Sequence, residues 1–352
     1  MKNINDITRE SWILDVFPEW GTWLNEEIDA TEVKEHTFAM WWLGCTGIYV
    51  KTHGGANFTV DYWVGRGKSS QYEPKQGPDQ QMNRMCGSVN LNPNLRNIPC
   101  VLDPFHIQKL DAVFSTHFHA DHIDIYVASA IVKNCPEAKF IGPELSAKKW
   151  LDWGVPGDRI MIVKPGDVFT IKDCEVHVVE SFDRTALVTT PPVGNLNGII
   201  PDMDERAVNY VFKTSGGTLY HSGDSHFCNY YRKHGLDYDI DVALGSYGEN
   251  PMGITDKITA CDILRMAENL DCKVIIPVHY DLWTNQHGDP NVIDMLYEYN
   301  KYRMQYKFKP FIWEVGGKFV FPDDKDKRRY LYRRGMEDAF TNTPNLPFLS
   351  FL

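Results

Sequence analysis

The sequence predicts an α/β fold in which helices cover strands in layers. Three observations point there. Short runs of strand length at 111–116, 241–246 and 273–279 have apolar centres without polar alternation, as strands buried on both faces do. Helix-like stretches follow strand-like ones in turn, from 111 to 153 and again from 241 to 306. The run Glu175-Val176-His177-Val178-Val179-Glu180 carries the period of two expected of a strand with unlike faces. The 352 residues hold no internal repeat, low-complexity block or interdomain linker. One domain over 1–352 is therefore expected, with a helical extension over 1–37 and a long insertion over 65–100.

Taken in order, residues 7–35 place Trp12, Ile13, Phe17, Trp20, Trp23, Leu24 and Ile28 at mixed spacings of three and four, broken by Pro18 and Gly21. Short packing helices follow from that pattern. Residues 38–50 and 57–64 read as the first strands, joined by a turn at 53–57, with Asp61 at the end of the second. The segment 65–99 is rich in Gly, Pro, Gln and Asn and carries Arg66, Lys68, Lys75, Arg84 and Arg96. At about 35 residues it exceeds ordinary loop length, which suits a cover or a partner contact. Residues 123–131 suit a helix, 139–143 a strand and 146–153 a helix. Strands are expected at 159–164 and 168–171, joined at Pro165-Gly166-Asp167, then at 175–180. A polar loop over 189–205 precedes strands at 207–213 and 218–224, which turn at Ser215-Gly216-Gly217. Apolar residues at 258, 263, 264, 267 and 270 have a helical period. A helix over 294–306 and a hairpin over 311–322 close the fold, and the apolar, Pro-rich tail 340–352 is expected to dock on a neighbour.

Chemistry concentrates at Thr116-His117-Phe118-His119-Ala120-Asp121-His122, four potential metal ligands at the turn between a buried strand and a helix. Strand alternation lets His117 and His119 grip one ion, while Asp121 and His122, past the turn, point elsewhere and could hold a second. A net charge of −11 and a pI near 5.5 argue against broad nucleic-acid binding, which needs a basic footprint. No apolar run reaches the roughly 18 residues of a membrane span. The first residues open no apolar signal segment, so a cytoplasmic location is the expectation. Eight cysteines are scattered without a Cys-x-x-Cys, which suggests neither a thiolate zinc site nor a disulfide framework.

The pattern His117-x-His119-x-Asp121-His122 resembles the signature of the metallo-β-lactamase superfamily, whose fold is a four-layered αββα sandwich. Trp41-Trp42-Leu43-Gly44, Phe182-Asp183-Arg184-Thr185-Ala186-Leu187, Tyr220-His221-Ser222-Gly223-Asp224-Ser225-His226, the stretch 243–251 and the end 347–352 extend the likeness. Together they resemble the bacterial L-ascorbate-6-phosphate lactonase family over essentially the whole chain. The resemblance implies two divalent ions, Mn²⁺ or Zn²⁺. It assigns His117 and His119 to the first, Asp121, His122 and His279 to the second, and Asp224 to the bridge between them. The superfamily draws a third ligand for the first ion from the end of strand 175–180, usually a His. Here Asp183 is the nearest candidate and His177 the alternative, and a carboxylate would shift preference toward Mn²⁺ or Mg²⁺. Asp61 matches a buried Asp that steadies the ligands.

The implied reaction is metal-assisted attack of water on the lactone carbonyl of L-ascorbate 6-phosphate, giving 3-keto-L-gulonate 6-phosphate. Asp121, Asp224 and His226 would be its catalytic groups, with Asp121 or His226 carrying the leaving group's proton. Arg184 would grip the phosphate through its planar fork. A homo-oligomer acting on a small phosphorylated sugar lactone, without nucleic acid or membrane, completes the expectation. Phosphodiester or nuclease-type hydrolysis on the same metal pair is the alternative. Flavodiiron redox chemistry fits less well, since those proteins have Glu where His119 stands and add a flavodoxin domain. A non-catalytic scaffold would tolerate lost ligands, and nearly all are present.

Overall fold

The computed structural model describes residues 2–16, 23–68, 94–96, 98–188, 202–248, 257–280 and 288–330. Two seven-stranded sheets carry the architecture. Numbered in chain order, one sheet contains β1 (Phe38–Gly44), β2 (Gly47–Thr52), β3 (Asn57–Val60), β6 (Ala112–Phe114), β7 (Lys139–Gly142), β8 (Ile160–Ile162) and β16 (Lys318–Phe321), in the order β16-β1-β2-β3-β6-β7-β8. The other contains β9 (Val168–Ile171), β10 (Cys174–Glu180), β11 (Val208–Thr214), β12 (Gly217–His221), β13 (Val242–Ser246), β14 (Val274–Val278) and β15 (Lys309–Pro310), in the order β15-β14-β13-β12-β11-β10-β9. A two-stranded ribbon, β4 (Gly67–Lys68) with β5 (Asn94–Leu95), stands at the described ends of the long insertion.

Burial on both faces explains the apolar strands. In β1, Phe38, Met40 and Trp42 join a core shared with Val176, Val178, Tyr210 and Phe212 of the facing sheet. The alternate residues Ala39, Trp41 and Leu43 lie instead with Trp12, Ile28, Val127, Ile131 and Trp150, under the helices Arg9–Val16, Trp23–Ala30, Ile125–Asn134 and Glu144–Trp153. The second sheet is covered by Ala260–Leu270, whose Ile263, Leu264, Met266, Ala267 and Leu270 are buried, and by Tyr230–Asp237 and Asn291–Met304. The layers are thus helix, sheet, sheet, helix. Phe58 of β3 stacks on Phe212 of β11 with ring centroids 4.8 Å apart, a direct bond between the sheets.

Each sheet is mixed, and the mixture positions the site. β3, β6, β7 and β8 are parallel, as are β12, β13, β14 and β15, while β1–β2–β3 and β10–β11–β12 are antiparallel. By that alternation the β1–β2 turn and the segments leaving β3, β6, β10, β12, β13 and β14 emerge at one edge, the usual place for a site in such sheets.

Two expectations are corrected. Residues 38–50 form a hairpin, because Gly44 (φ +94°) and Cys45 (φ +55°) turn the chain back between β1 and β2. The C-terminal hairpin is not formed: β15 pairs parallel with β14, whereas β16 pairs antiparallel with β1, so the chain crosses between sheets. Alternation reveals a strand, but burial against either sheet satisfies it equally. The helix expected at 123–131 begins at Ile125, because the Asp124 side chain accepts the Tyr126 and Val127 amides and caps it. Among the described residues no helix is long and apolar enough to cross a membrane. Phe17, Trp20, most of the long insertion, 189–201 of the polar loop and the tail 340–352 lie outside the described residues.

Candidate metal centre

Asp61 is the buried anchor of the edge. Directly after β3 the backbone turns at φ +49° and aims this carboxylate inward. Its Oδ1 accepts the Thr116 amide at 2.7 Å, and its Oδ2 accepts Thr116 Oγ1 at 2.6 Å, Thr46 Oγ1 at 2.8 Å and His122 Nδ1 at 2.9 Å. Burial works to raise its pKa, but the neighbouring His122 outweighs that and holds the carboxyl at about 2. These bonds also set tautomers. Since Nδ1–H of His122 donates to Asp61, its Nε2 faces the centre as a lone pair. Thr116 Oγ1 spends its proton on Asp61 and so accepts from His117 Nδ1 at 3.1 Å, which leaves His117 Nε2 facing inward as well.

Around this anchor the donor atoms form three overlapping groups. His117, His119 and Asp183 make one; Asp121, His122, His279 and Cys45 a second; His117, His122 and Asp224 join them. Within each group all donor atoms lie within 4.8 Å of one another. His117 Nε2 is 2.9 Å from His119 Nδ1 and 3.6 Å from Asp183 Oδ2. His279 Nε2 is 3.4 Å from Asp121 Oδ2, and His122 Nε2 is 3.7 Å from the same oxygen. Asp224 reaches across: Oδ2 is 3.3 Å from His122 Nε2 and 4.0 Å from His117 Nε2, and Oδ1 is 3.6 Å from His279 Nε2. Burial, with the neighbouring imidazoles, pushes His117 and His119 down to about 3, so both are neutral donors at pH 7. Burial opposes a charge on His122 too, but Asp224 and the other acids around it prevail and raise its pKa well above the usual range, so the surroundings favour a positive charge at its Nε2, a proton when no ion is bound and the ion itself when one is.

Two atoms test whether a cation belongs here. Asp183 Oδ1 takes the Thr185 amide, the Thr185 hydroxyl and the Ala186 amide at 2.9, 2.6 and 3.0 Å, whereas its buried Oδ2 has no hydrogen-bond partner. His279 Nε2 is likewise buried without one. Buried polar atoms left unbonded are costly. Both point at other donors rather than at donatable protons, and a divalent cation satisfies all of them together. A set of imidazoles and carboxylates fits such an ion.

The structure brings His117, His119, Asp121, His122, Asp183, Asp224 and His279 to one place, from the segments that follow four different strands, β6, β10, β12 and β14. It does not bring His177 there. That ring bonds Glu175 at 2.5 Å and packs edge-on against Tyr238, on the face of β10 away from the centre. His226 stands beside the Asp183 turn, its Nδ1 accepting the Arg184 amide at 3.4 Å. Arg184 is exposed at the start of the helix Arg184–Val188.

Sequence reasoning missed four neighbours. Cys45 and Thr46 arrive on the β1–β2 turn, whose Gly44 and Gly47 were the available signal. Ser246 Oγ donates to Asp224 Oδ1 at 3.0 Å from the end of β13, and Lys257 forms a buried ion pair with Asp224 Oδ2. Nothing local marks Lys257. His221 is fully used inside the fold, its Nε2 donating to the Thr46 carbonyl at 2.9 Å and its Nδ1 accepting the Gly223 amide at 3.2 Å.

Comparison with known proteins places the chain and its fold. The family model of the beta-lactamase superfamily domain matches residues 87–280. A protein of Escherichia fergusonii named probable L-ascorbate-6-phosphate lactonase UlaG is 58% identical, over 100% of both chains. The isothiocyanate hydrolase from Delia radicum gut bacteria superposes with a TM-score of 0.55 at 17% identity, over 80% of this chain and 98% of that one. A metallo hydrolase of Ignicoccus hospitalis gives 0.54 at 16% identity, over 81% and 98%. These two structural likenesses concern the fold alone.

Proposed function

The chain belongs to the metallo-β-lactamase superfamily, in the family of the L-ascorbate-6-phosphate lactonases, and from that premise we propose that it is a metal-dependent hydrolase opening the lactone ring of L-ascorbate 6-phosphate to 3-keto-L-gulonate 6-phosphate. The observation that carries the reading is the full-length likeness to lactonases joined to two donor groups that a third, His117 with His122 and Asp224, links. His117, His119 and Asp183 would hold one divalent ion, Asp121, His122 and His279 a second, and Asp224 would span both. Ions so placed supply Lewis acidity and make a bound water acidic enough to react near neutral pH.

This chain's own groups do the rest. Asp61, Thr46 and Thr116 fix the imidazole orientations, so the donors are preorganised before substrate arrives. Asp121, its side chain 14% exposed while His122 beside it is fully buried, is the acid that faces the opening. In this reading it accepts the proton of the attacking water. As the acyl–oxygen bond of the lactone breaks, the ring oxygen needs a proton, which Asp121 or His226 returns. Arg184, exposed beside the Asp183 turn, would pair with the substrate phosphate. The net charge of −11 makes such a local cation necessary and disfavours nucleic acid. The reading carries with it one catalytic unit over 1–352, in a cytoplasmic homo-oligomer.

The test is metal analysis coupled to an assay on L-ascorbate 6-phosphate. We expect about two Mn²⁺ or Zn²⁺ ions per chain, and loss of turnover on chelation that is restored by metal. Full activity without metal would overturn the metal assignment. Turnover of a phosphodiester in place of the lactone would overturn the substrate.

A further inference from the structure

Cys45 enters the centre from the β1–β2 turn, beside Thr46, and the reaction just described gives its thiol no role. Its Sγ lies 3.7 Å from His122 Nε2 and 4.0 Å from Asp121 Oδ2, and it falls in one donor group with these atoms and His279 Nε2. Bonds of about 2.0–2.3 Å at tetrahedral angles put neighbouring donors ~3.3–3.6 Å apart. The edges of 3.4 Å between His279 and Asp121, 3.7 Å between His122 and Asp121 and 3.7 Å between Cys45 and His122 are within a few tenths of those values, the Cys45–Asp121 edge is longer at 4.0 Å, and all four donor atoms lie within 4.8 Å of one another.

The backbone holds the thiol in place. Cys45 takes φ +55° and His279 φ +72°, left-handed conformations that a side-chain-bearing residue adopts at a cost. The two strained residues are tied together, since the His279 amide donates to the Cys45 carbonyl at 3.1 Å. Trp42 Nε1 donates to the same carbonyl at 2.8 Å. A buried thiol could pack anywhere along the strand. Here the turn is bonded to the ligand-bearing segment after β14, and His279 Nε2, buried and without a hydrogen bond, points into the same group.

We propose that Cys45 is a thiolate ligand of the second metal ion, completing a Cys45–Asp121–His122–His279 site. The inference rests on the two-metal reading of the centre. On binding, the sulfur–metal bond forms as the S–H proton passes to solvent, one proton per ion beyond those released by the other ligands. The two ions then differ in kind. His117, His119 and Asp183 offer only nitrogen and oxygen, whereas the thiolate makes the second site softer and favours Zn²⁺ or Co²⁺ over Mn²⁺.

The experiment reloads the chelator-stripped full chain with Co²⁺ and follows the absorption spectrum. We expect a near-ultraviolet sulfur-to-cobalt charge-transfer band in the unaltered protein, absent from Cys45→Ala and Cys45→Ser, with the visible cobalt bands of the first site kept in both. Zn²⁺ affinity at one of two sites should fall by about tenfold or more in either variant, while Mn²⁺ affinity changes little. Circular dichroism and Tm establish that each variant folds, and the serine variant keeps the size of the side chain should the alanine variant fail. Two bound ions with no sulfur band, or a band that survives Cys45→Ser, would overturn the role of Cys45 alone. Failure to bind any ion would overturn the two-metal reading itself. The unaltered protein decides the first point without any variant.

Discussion

At the scale of single residues, what distinguishes the centre is which atoms are left over once local hydrogen bonds are made. Asp224 keeps both oxygens among the ligands, with Ser246 and Lys257 as further partners among the described residues, whereas His177 is occupied by Glu175 on β10, away from the centre. Asp224→Ala should therefore remove nearly all turnover and lower bound metal. His177→Ala should leave both within about twofold, since its ring bonds Glu175 and packs on Tyr238 rather than on a ligand. Metal content and kcat of the two variants decide this, and metal loss in His177→Ala would return that residue to the ligand set. Arg184 allows a second prediction. Arg184→Lys keeps the charge but loses the fork, and Arg184→Ala loses both. We expect kcat/KM for the phosphorylated lactone to fall sharply in the alanine variant and to an intermediate value in the lysine variant. Turnover of an unphosphorylated lactone should change little in either. Equal losses on the two substrates would mean that Arg184 supports the ligand turn instead.

At the scale of elements, caps and turns place the ligands more than strand propensity does. The helix Ala260–Leu270 starts with a reciprocal cap, Thr259 accepting the Asp262 amide while Asp262 accepts the Thr259 amide. It packs on β13 and β14, the strands that deliver Ser246 and His279. Thr259→Ala should cost about 1 kcal/mol of stability, read as a lower denaturation midpoint with unchanged slope and unchanged metal content. These features were legible in part. The stretches 168–171 and 258–270 fall where their periods put them, to within two residues. The β1–β2 turn was not legible, because Gly44-Cys45-Thr46-Gly47 interrupts an apolar run without breaking its hydrophobic character. Only the left-handed angles at Gly44 and Cys45 reveal the reversal.

At the scale of the whole molecule, the two sheets and their helices hold the edge rigid, and the same packing builds titratable groups into the fold away from the centre. Glu180, the last residue of β10, accepts His234 Nε2 at 2.9 Å and pairs with Lys233 at 3.1 Å. Tyr220 OH meets the other nitrogen of His234 at 2.9 Å. Burial works to raise the Glu180 carboxyl, but the bonds from His234 and Lys233 prevail and hold it at about 2, against an ordinary 4.5. A depressed carboxyl adds stability that is fully present above the unfolded value. That stability is lost as pH falls from about 4.5 towards 2. Burial also lowers His234, which favours its neutral form and adds to the acid sensitivity. Glu180→Gln should therefore lower Tm at neutral pH and flatten its decline between about pH 5 and pH 3. Parallel Tm–pH curves for the two proteins would show that Glu180 contributes nothing to the acid limb.

The sequence by itself determined the α/β class, the elements with strong periods and the ligand turn His117 to His122, since each is written in residues close enough in the chain to share one strand or turn. The resemblance supplied Asp183, Asp224 and His279 as candidates. Only the tertiary structure decided that these atoms lie within 4.8 Å of their partners, that His177 faces away, and that Cys45 and Lys257 belong to the same place. The physical reason is that the centre lies where the ends of many strands meet at one edge of two packed sheets. Which distant turns meet there depends on strand order and sheet pairing. Those follow from burial summed over the whole core, a quantity no local pattern carries.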